Sequence, residues 1–248
     1  MKKIQLFIII LGVFFFQNCQ QTADGISPSG NGTGGSLARF TLGDGTLYTV
    51  SNFDMNVFDI SSSPAVPNKL KTITLGFGAE TIFPYKNMLF IGTTTGMKIF
   101  DNQNPTNPIL LSTFTHIYSC DPVVVQGNYA YVTLRNGNAC TRGQNSLDIV
   151  DVKDPKNPQL IKTFPMQNPH GLAVDGNNLF ICEGNFGLKS FDITDPLKPI
   201  EREFIKDVIS YDVIPNNKKL IVTGKNGIYQ YDYSEPKTLK LISKIPIE

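Results

Sequence analysis

The sequence predicts an all-β fold, a five-bladed β-propeller of four-stranded antiparallel blades with about 41 residues per blade. Three observations predict it: one acidic corner recurs five times, each repeat holds four apolar stretches, and no helical periodicity follows residue 20. The corner is Phe58-Asp59-Ile60, Phe100-Asp101-Asn102, Val150-Asp151-Val152, Phe191-Asp192-Ile193 and Tyr231-Asp232-Tyr233, at spacings of 42, 50, 41 and 40 residues. A proline follows each time, at Pro64, Pro105, Pro155, Pro196 and Pro236, and the first four repeats add Pro67, Pro108, Pro158 and Pro199.

The fourth repeat shows the four stretches most clearly. Gly171 to Val174 reads as strand A, Leu179 to Cys182 as strand B, Leu188 to Ile193 as strand C and Pro199 to Ile205 as strand D. Asp-Gly, Gly-Asn and Asp-Pro pairs between them supply the backbone angles that tight turns need. A meander of this size cannot bury both faces alone, so neighbouring copies must stack. Every repeat owns its four strands, so the first and last blades are expected to meet face to face without exchanging a strand. An open array, or closure through a second copy, is the alternative. The repeated Asp sits where strand C ends. Its carboxylate can accept backbone N–H bonds from the next turn, which is a structural role.

Composition narrows the partners. Lys+Arg is 22 against Asp+Glu 21, so nothing resembles the basic stripe of a nucleic-acid binder. Gly (21) and Pro (16) suit many short strands with tight turns. The N-terminus opens on Met1-Lys2-Lys3, and Ile4 to Phe16 is an apolar run broken by Gln5 and Gly12. That length fits a signal peptide rather than a membrane span. Cys19 follows directly and is the expected lipidation site, although Phe16-Gln17-Asn18 departs from the usual small residues. Residues 1–19 are thus read as a signal peptide with a lipobox-like Cys, 20–36 as a Gly/Ser-rich tether, and 37–248 as the propeller. Gly30-x-Gly32-x-x-Gly35 matches a dinucleotide fingerprint formally, but no strand precedes it and no helix follows.

Leu147-Asp148-Ile149-Val150-Asp151-Val152 and Leu188-Lys189-Ser190-Phe191-Asp192-Ile193, each followed by Asp-Pro-x-x-Pro, resemble LVIVD repeats. Gly127-Asn128-Tyr129-Ala130-Tyr131-Val132 is similar to that family's first hairpin. The resemblance runs from Leu37 to Glu248, strongest in repeats three and four. It implies an exported bacterial propeller-like protein and little about chemistry.

Export permits disulfides. Cys120, before strand A of repeat three, and Cys140, in that repeat's long B–C insertion, fall on one face and are expected to pair. Two free thiols are the alternative. Cys182 alternates with Phe180 and reads as buried packing.

Aligned repeats place Ala38, Glu80, Asp121, His170 and Tyr211 at one register, the start of each strand A. In a closed propeller this ring surrounds one mouth of the channel. Strand B ends on the same face, adding Asn52, Thr94, Arg135, Glu183 and Lys225, with Arg39 and Arg142 nearby. Glu80, Asp121, His170, Tyr211, Arg135 and Glu183 are the candidate ligand residues. No H-E-x-x-H, G-x-S-x-G, P-loop or EF-hand pattern is present. The expectation is therefore a binding module at the cell envelope that is not an enzyme, with no cofactor and no metal. Its partner would be a protein, peptide or glycan, with membrane contact through the lipid anchor only, no nucleic acid, and a monomeric state. The alternatives are a hydrolase or lyase acting on a glycan through Glu80, Asp121 and His170, or a purely structural envelope protein.

Overall fold

The computed structural model describes residues 35–115, 122–136, 144–235 and 237–247. Their strands form five antiparallel four-stranded sheets arranged as the blades of a ring. Blade 1 comprises β1 (Phe40–Gly43), β2 (Thr46–Val50), β3 (Asp54–Asp59) and β4 (Asn68–Thr74). Blade 2 comprises β5 (Ala79–Tyr85), β6 (Met88–Thr93), β7 (Gly96–Asp101) and β8 (Ile109–Thr115). Blade 3 comprises β9 (Val123–Gln126), β10 (Tyr129–Leu134), β11 (Ser146–Asp151) and β12 (Gln159–Pro165). Blade 4 comprises β13 (Leu172–Asp175), β14 (Asn178–Cys182), β15 (Leu188–Asp192) and β16 (Ile200–Ile205). Blade 5 comprises β17 (Ser210–Asn216), β18 (Lys219–Gly224), β19 (Gly227–Asp232) and β20 (Lys240–Pro246). The five-bladed propeller of the sequence reading is therefore the fold, and each blade keeps all four of its own strands.

The repeated corner explains why the blades are alike. The carboxylate of each corner Asp accepts the N–H two residues on: Ser61 to Asp59, Gln103 to Asp101, Lys153 to Asp151, Thr194 to Asp192 and Ser234 to Asp232, each at 2.8 Å. This side-chain-to-backbone bond ends strand C and starts the turn into strand D. One register shift falls between the third and fourth strands of every blade, just before the corner: at Val57/Phe58, Ile99/Phe100, Ile149/Val150, Ser190/Phe191 and Gln230/Tyr231. A bulge at that place adds twist to the outer half of the blade.

Apolar faces meet in four clusters, at four of the five joints. Tyr48, Met55, Val57 and Ile82 fill the joint of blades 1 and 2. Phe90, Ile99, Val123 and Val132 fill the next. Val124, Tyr131, Ile149 and Leu172 join blades 3 and 4. Phe180, Cys182, Leu188, Val213 and Tyr231 join blades 4 and 5. Cys182 is a free, buried thiol in that last cluster. Among the described residues no comparable cluster joins blade 5 to blade 1.

That fifth joint is held differently. Gly35 to Ala38 forms a turn closed by the Ala38 N–H on the Gly35 carbonyl at 3.0 Å. Ser36 is buried, and its hydroxyl accepts the Leu172 N–H at 2.7 Å and donates to the Asp212 carboxylate at 3.3 Å. Any side chain at Gly35 or Gly171 would collide with the Asp212 carboxylate, 2.1 Å from the Cβ position in each case. The end of the tether thus reaches across to the inner strands of blades 4 and 5. Ala38 then passes its carbonyl to the Ile82 N–H at 2.9 Å, which leads the chain into the joint with blade 2.

Candidate functional site

The inner strands begin at the mouth, so the residue starting each strand is forced to its rim. Glu80, His170 and Tyr211 stand there, on blades 2, 4 and 5. Arg135 follows β10 of blade 3, and Arg39 precedes β1. Glu80, Arg135 and His170 are half-buried, whereas Arg39 is exposed. Burial pushes the Glu80 carboxyl above the usual carboxylate range, and the positive charges of Arg39 and Arg135 act against that rise. Burial also pushes His170 down to about 4, with Arg135 adding to the effect, so its imidazole is neutral at pH 7. Arg135 is within electrostatic reach of both, so among the described residues the rim brings the Glu80 carboxylate, the neutral His170 imidazole and the Arg39 and Arg135 guanidinium groups together.

His170 is held by its backbone and its ring. Its N–H donates to the Cys182 carbonyl at 2.7 Å, and its carbonyl accepts the Thr133 hydroxyl at 2.7 Å. The Nε2 lies 3.3 Å from the Asn168 amide nitrogen, and the ring sits 5.6 Å from that of Tyr211 at a 52° tilt. Glu183 is fully buried beneath this arrangement. Its carboxylate accepts the N–H groups of Gln167 at 3.1 Å and Asn168 at 2.7 Å, and pairs with Lys189 at 3.2 Å. Glu183 therefore sets the Asn168 backbone, and Asn168 in turn contacts His170. Thr94, at the register of Arg135 and Glu183, is buried with its hydroxyl unpartnered.

Asp212 follows Tyr211 and lies against Ser36, Gly35 and Gly171. Burial lifts its carboxyl to about 6, against the pull of the Val213, Leu37 and Ser36 N–H groups and the Ser36 hydroxyl. Sequence reasoning passed over Ser36 and Asp212. One signal for Asp212 was available: at the register after Tyr211 the other blades carry Arg39, Thr81, Pro122 and Gly171, so only blade 5 has a carboxylate there.

Among the candidate residues, Glu80, Arg135, His170 and Tyr211 line one rim, and Glu183 lies beneath it. Asp121, Cys120, Cys140, Arg142 and Cys19 lie outside the described residues. Among the described residues no group of three or more His, Cys, Asp or Glu is disposed to hold a metal ion.

Comparison with known proteins agrees on the architecture. Residues 119–165 match the LVIVD repeat, which covers blade 3. No curated protein matches the chain by sequence. Among solved structures, a protein from Lactobacillus plantarum superposes with a TM-score of 0.65 at 14% identity, over 82% of this chain and 68% of that one. The periplasmic gluconolactonase PpgL of Pseudomonas aeruginosa gives 0.63 at 9% identity, over 82% and 67%. A candidate 6-phosphogluconolactonase of Bacteroides uniformis gives 0.64 at 14% identity, over 85% and 69%. The chain spans 60% of the computationally designed protein Ika8, which it also resembles.

These neighbours correct one expectation. The sequence reading held that the chain is not an enzyme, on the ground that no hydrolase motif is present. Two of the similar structures are named as lactonases, so that expectation does not stand. The physical reason lies in the fold: a propeller mouth draws single residues from separate blades, and such a site leaves no contiguous motif in the sequence.

Proposed function

We propose that this chain is an exported, lipid-anchored β-propeller whose channel mouth binds a small, hydroxyl-rich anion. The observation that carries the reading is the placement of Arg135 within electrostatic reach of both Glu80 and His170, with Arg39 also acting on Glu80. With His170 neutral, the positive charges at the described rim are the Arg39 and Arg135 guanidinium groups, and exposed Arg39 offers its donors to one negative group of a ligand. Arginine suits a carboxylate or phosphate because its donors form a planar fork. Glu80, the His170 ring and the Tyr211 phenol remain to meet hydroxyls. The positive start, the apolar run and Cys19 support export and anchoring.

A second reading has its own support. The names of the P. aeruginosa and B. uniformis neighbours point to sugar lactones as substrates. A neutral imidazole beside a carboxylate and two guanidinium groups is a set that could activate water against a lactone carbonyl. The product, a sugar acid, is the same class of anion as the first reading requires.

Calorimetric titration of the purified full chain with gluconate tests the binding reading. Saturable binding that weakens at least tenfold in Arg39→Ala supports it, and gluconate that fails to bind removes it. Glucono-δ-lactone offered to the same preparation tests the second. Hydrolysis above the spontaneous rate, lost in His170→Gln and Glu80→Gln, establishes catalysis, and a rate equal to buffer alone rejects it.

A further inference from the structure

Away from the mouth, the A–B turns of successive blades are stitched together by one repeated device. In blades 2, 3 and 4 the last residue of the inner strand reaches the turn of the next blade. The Tyr85 phenol accepts the Gly127 N–H at 2.7 Å, joining blades 2 and 3. The Gln126 amide donates to the Gly176 carbonyl, joining blades 3 and 4. The Asp175 carboxylate takes Lys218 at 2.7 Å and the Tyr233 phenol at 2.9 Å, joining blades 4 and 5. Asn216 occupies that position in blade 5. In blade 1 the position is Gly43, which has no side chain with which to reach blade 2.

A second departure lies two residues earlier on the same face of the strand. The register held by Phe83, Val124, Ala173 and Ile214 is Thr41 in blade 1. Thr41 is 5% exposed, and its hydroxyl has no hydrogen-bond partner. An unpartnered buried hydroxyl works against folding. The hydroxyl is closed to water, but the residue stands at the wall of an open cleft. It lines a cleft of about 230 Å³ between blades 1 and 2 with Asp44, Tyr48, Lys86, Asn87 and Asn102. The Tyr48 phenol is tied at 2.9 Å to Asn102 and to the Pro105 carbonyl, which fixes the back wall. Lys86 leans over the Tyr85 ring, 5.3 Å from its centre. The missing side chain and the unpaired hydroxyl are therefore one feature: blade 1 gives up the stitch, and the gap carries an unused donor.

From this geometry we infer that the cleft between the A–B turns of blades 1 and 2 is a binding site for a neutral, monosaccharide-sized polyol. The volume lies below the range usual for drug-sized ligands and suits a single sugar ring. Thr41 and the two asparagines can both donate and accept, as ring hydroxyls require. Asp44 accepts hydroxyl protons and repels an anion, while the lean of Lys86 over Tyr85 leaves its charge partly engaged. The site thus selects against the sugar acids proposed for the mouth.

Titration of the full chain with D-glucose, D-galactose, D-mannose and N-acetylglucosamine, read by calorimetry, tests the assignment. At least one of the four is expected to bind saturably. Thr41→Val, which keeps shape and removes the hydroxyl, should weaken that binding at least tenfold without lowering the melting temperature. Gly43→Gln should restore the stitch, fill the cleft and weaken binding similarly, while Arg39→Ala at the mouth should leave it unchanged. The assignment fails if none of the four sugars binds, if Thr41→Val binds as tightly as the parent, or if Arg39→Ala abolishes binding.

Discussion

The joint between blades 4 and 5 and the joint between blades 5 and 1 are built from similar residues and reach different ends. At the first, Ala173, Phe180, Cys182 and Leu188 of blade 4 are buried against Val213, Val222 and Tyr231 of blade 5. At the second, the matching face of blade 5 carries Ile214 and Ile221, both half-buried, and Ile228, 38% exposed. On the corresponding face of blade 1, Leu42, Leu47 and Phe58 are half-buried. Val213 is fully buried, yet Phe40, its counterpart in blade 1, is 59% exposed. What blade 1 has instead is Ser36, which ties the start of its chain to Asp212 and Leu172. The difference teaches that an apolar alternating strand announces a face, not its partner. Four joints are closed by packing, and the fifth is closed at the axis by a polar latch.

Core substitutions should break this comparison most strongly. Phe180→Ala is expected to cost about 3–5 kcal/mol, because it opens a cavity in a packed joint. Phe40→Ala is expected to cost less than about 1 kcal/mol, because most of that ring already meets water. Chemical denaturation of both variants measures the gap, and equal losses would mean that the fifth joint is packed like the others. Asp212→Ala comes next. It leaves the Ser36 hydroxyl and neighbouring N–H groups without their acceptor, an expected loss of about 1–3 kcal/mol.

A pH series sharpens the comparison further. Asp212 is raised to about 6 from 3.8, so its contribution is complete below pH 3.8 and is lost as pH rises through 6. His170 is lowered to about 4 from 6.5, so its contribution is complete above pH 6.5 and is lost as pH falls through 4. Between these limits the two oppose each other, and the parent's stability should be nearly flat from pH 6.5 to 4. Asp212→Asn should then lose stability on acidification over that range, by about 1–2 kcal/mol once the partial exposure of His170 is allowed for. His170→Gln should gain stability instead. Thermal melts across the range read both slopes, and parallel slopes in the two variants would refute the assignment. The smallest effect is expected at an outer corner. Asp192→Ala removes an exposed turn bond and the Arg202 partner, and should cost less than about 1 kcal/mol with gluconate binding unchanged.

The fold was legible because it rests on local chemistry written five times. An Asp that bonds the N–H two residues on does so whatever surrounds it, so Asp59 to Asp232 could be read in line. The fourth repeat's strands were readable to within a residue at each end, since alternation and turn residues both mark them. The mouth was legible by register: Glu80, Arg135, His170 and Tyr211 follow from counting back from each A–B turn. The burial of Glu183 and its service to Asn168 were not, because a charged residue at a strand end reads as exposed until the loop above it is seen. Ser36 was hidden by its company. It closes a Gly/Ser stretch that looks like tether, and only the Asp212 carboxylate 176 residues away makes it part of the fold. In a propeller the absence of a motif is a poor guide to catalysis for the same reason, as groups from separate blades never adjoin in sequence.

Hydrogen exchange on the full chain, read by mass spectrometry with and without Ser36→Ala, tests the polar latch most directly. The latch predicts faster exchange in residues 37–43 and 210–216 of the variant, with β10 and β14 unchanged. Unaltered exchange in those two segments, or acceleration spread evenly over all five blades, would contradict it.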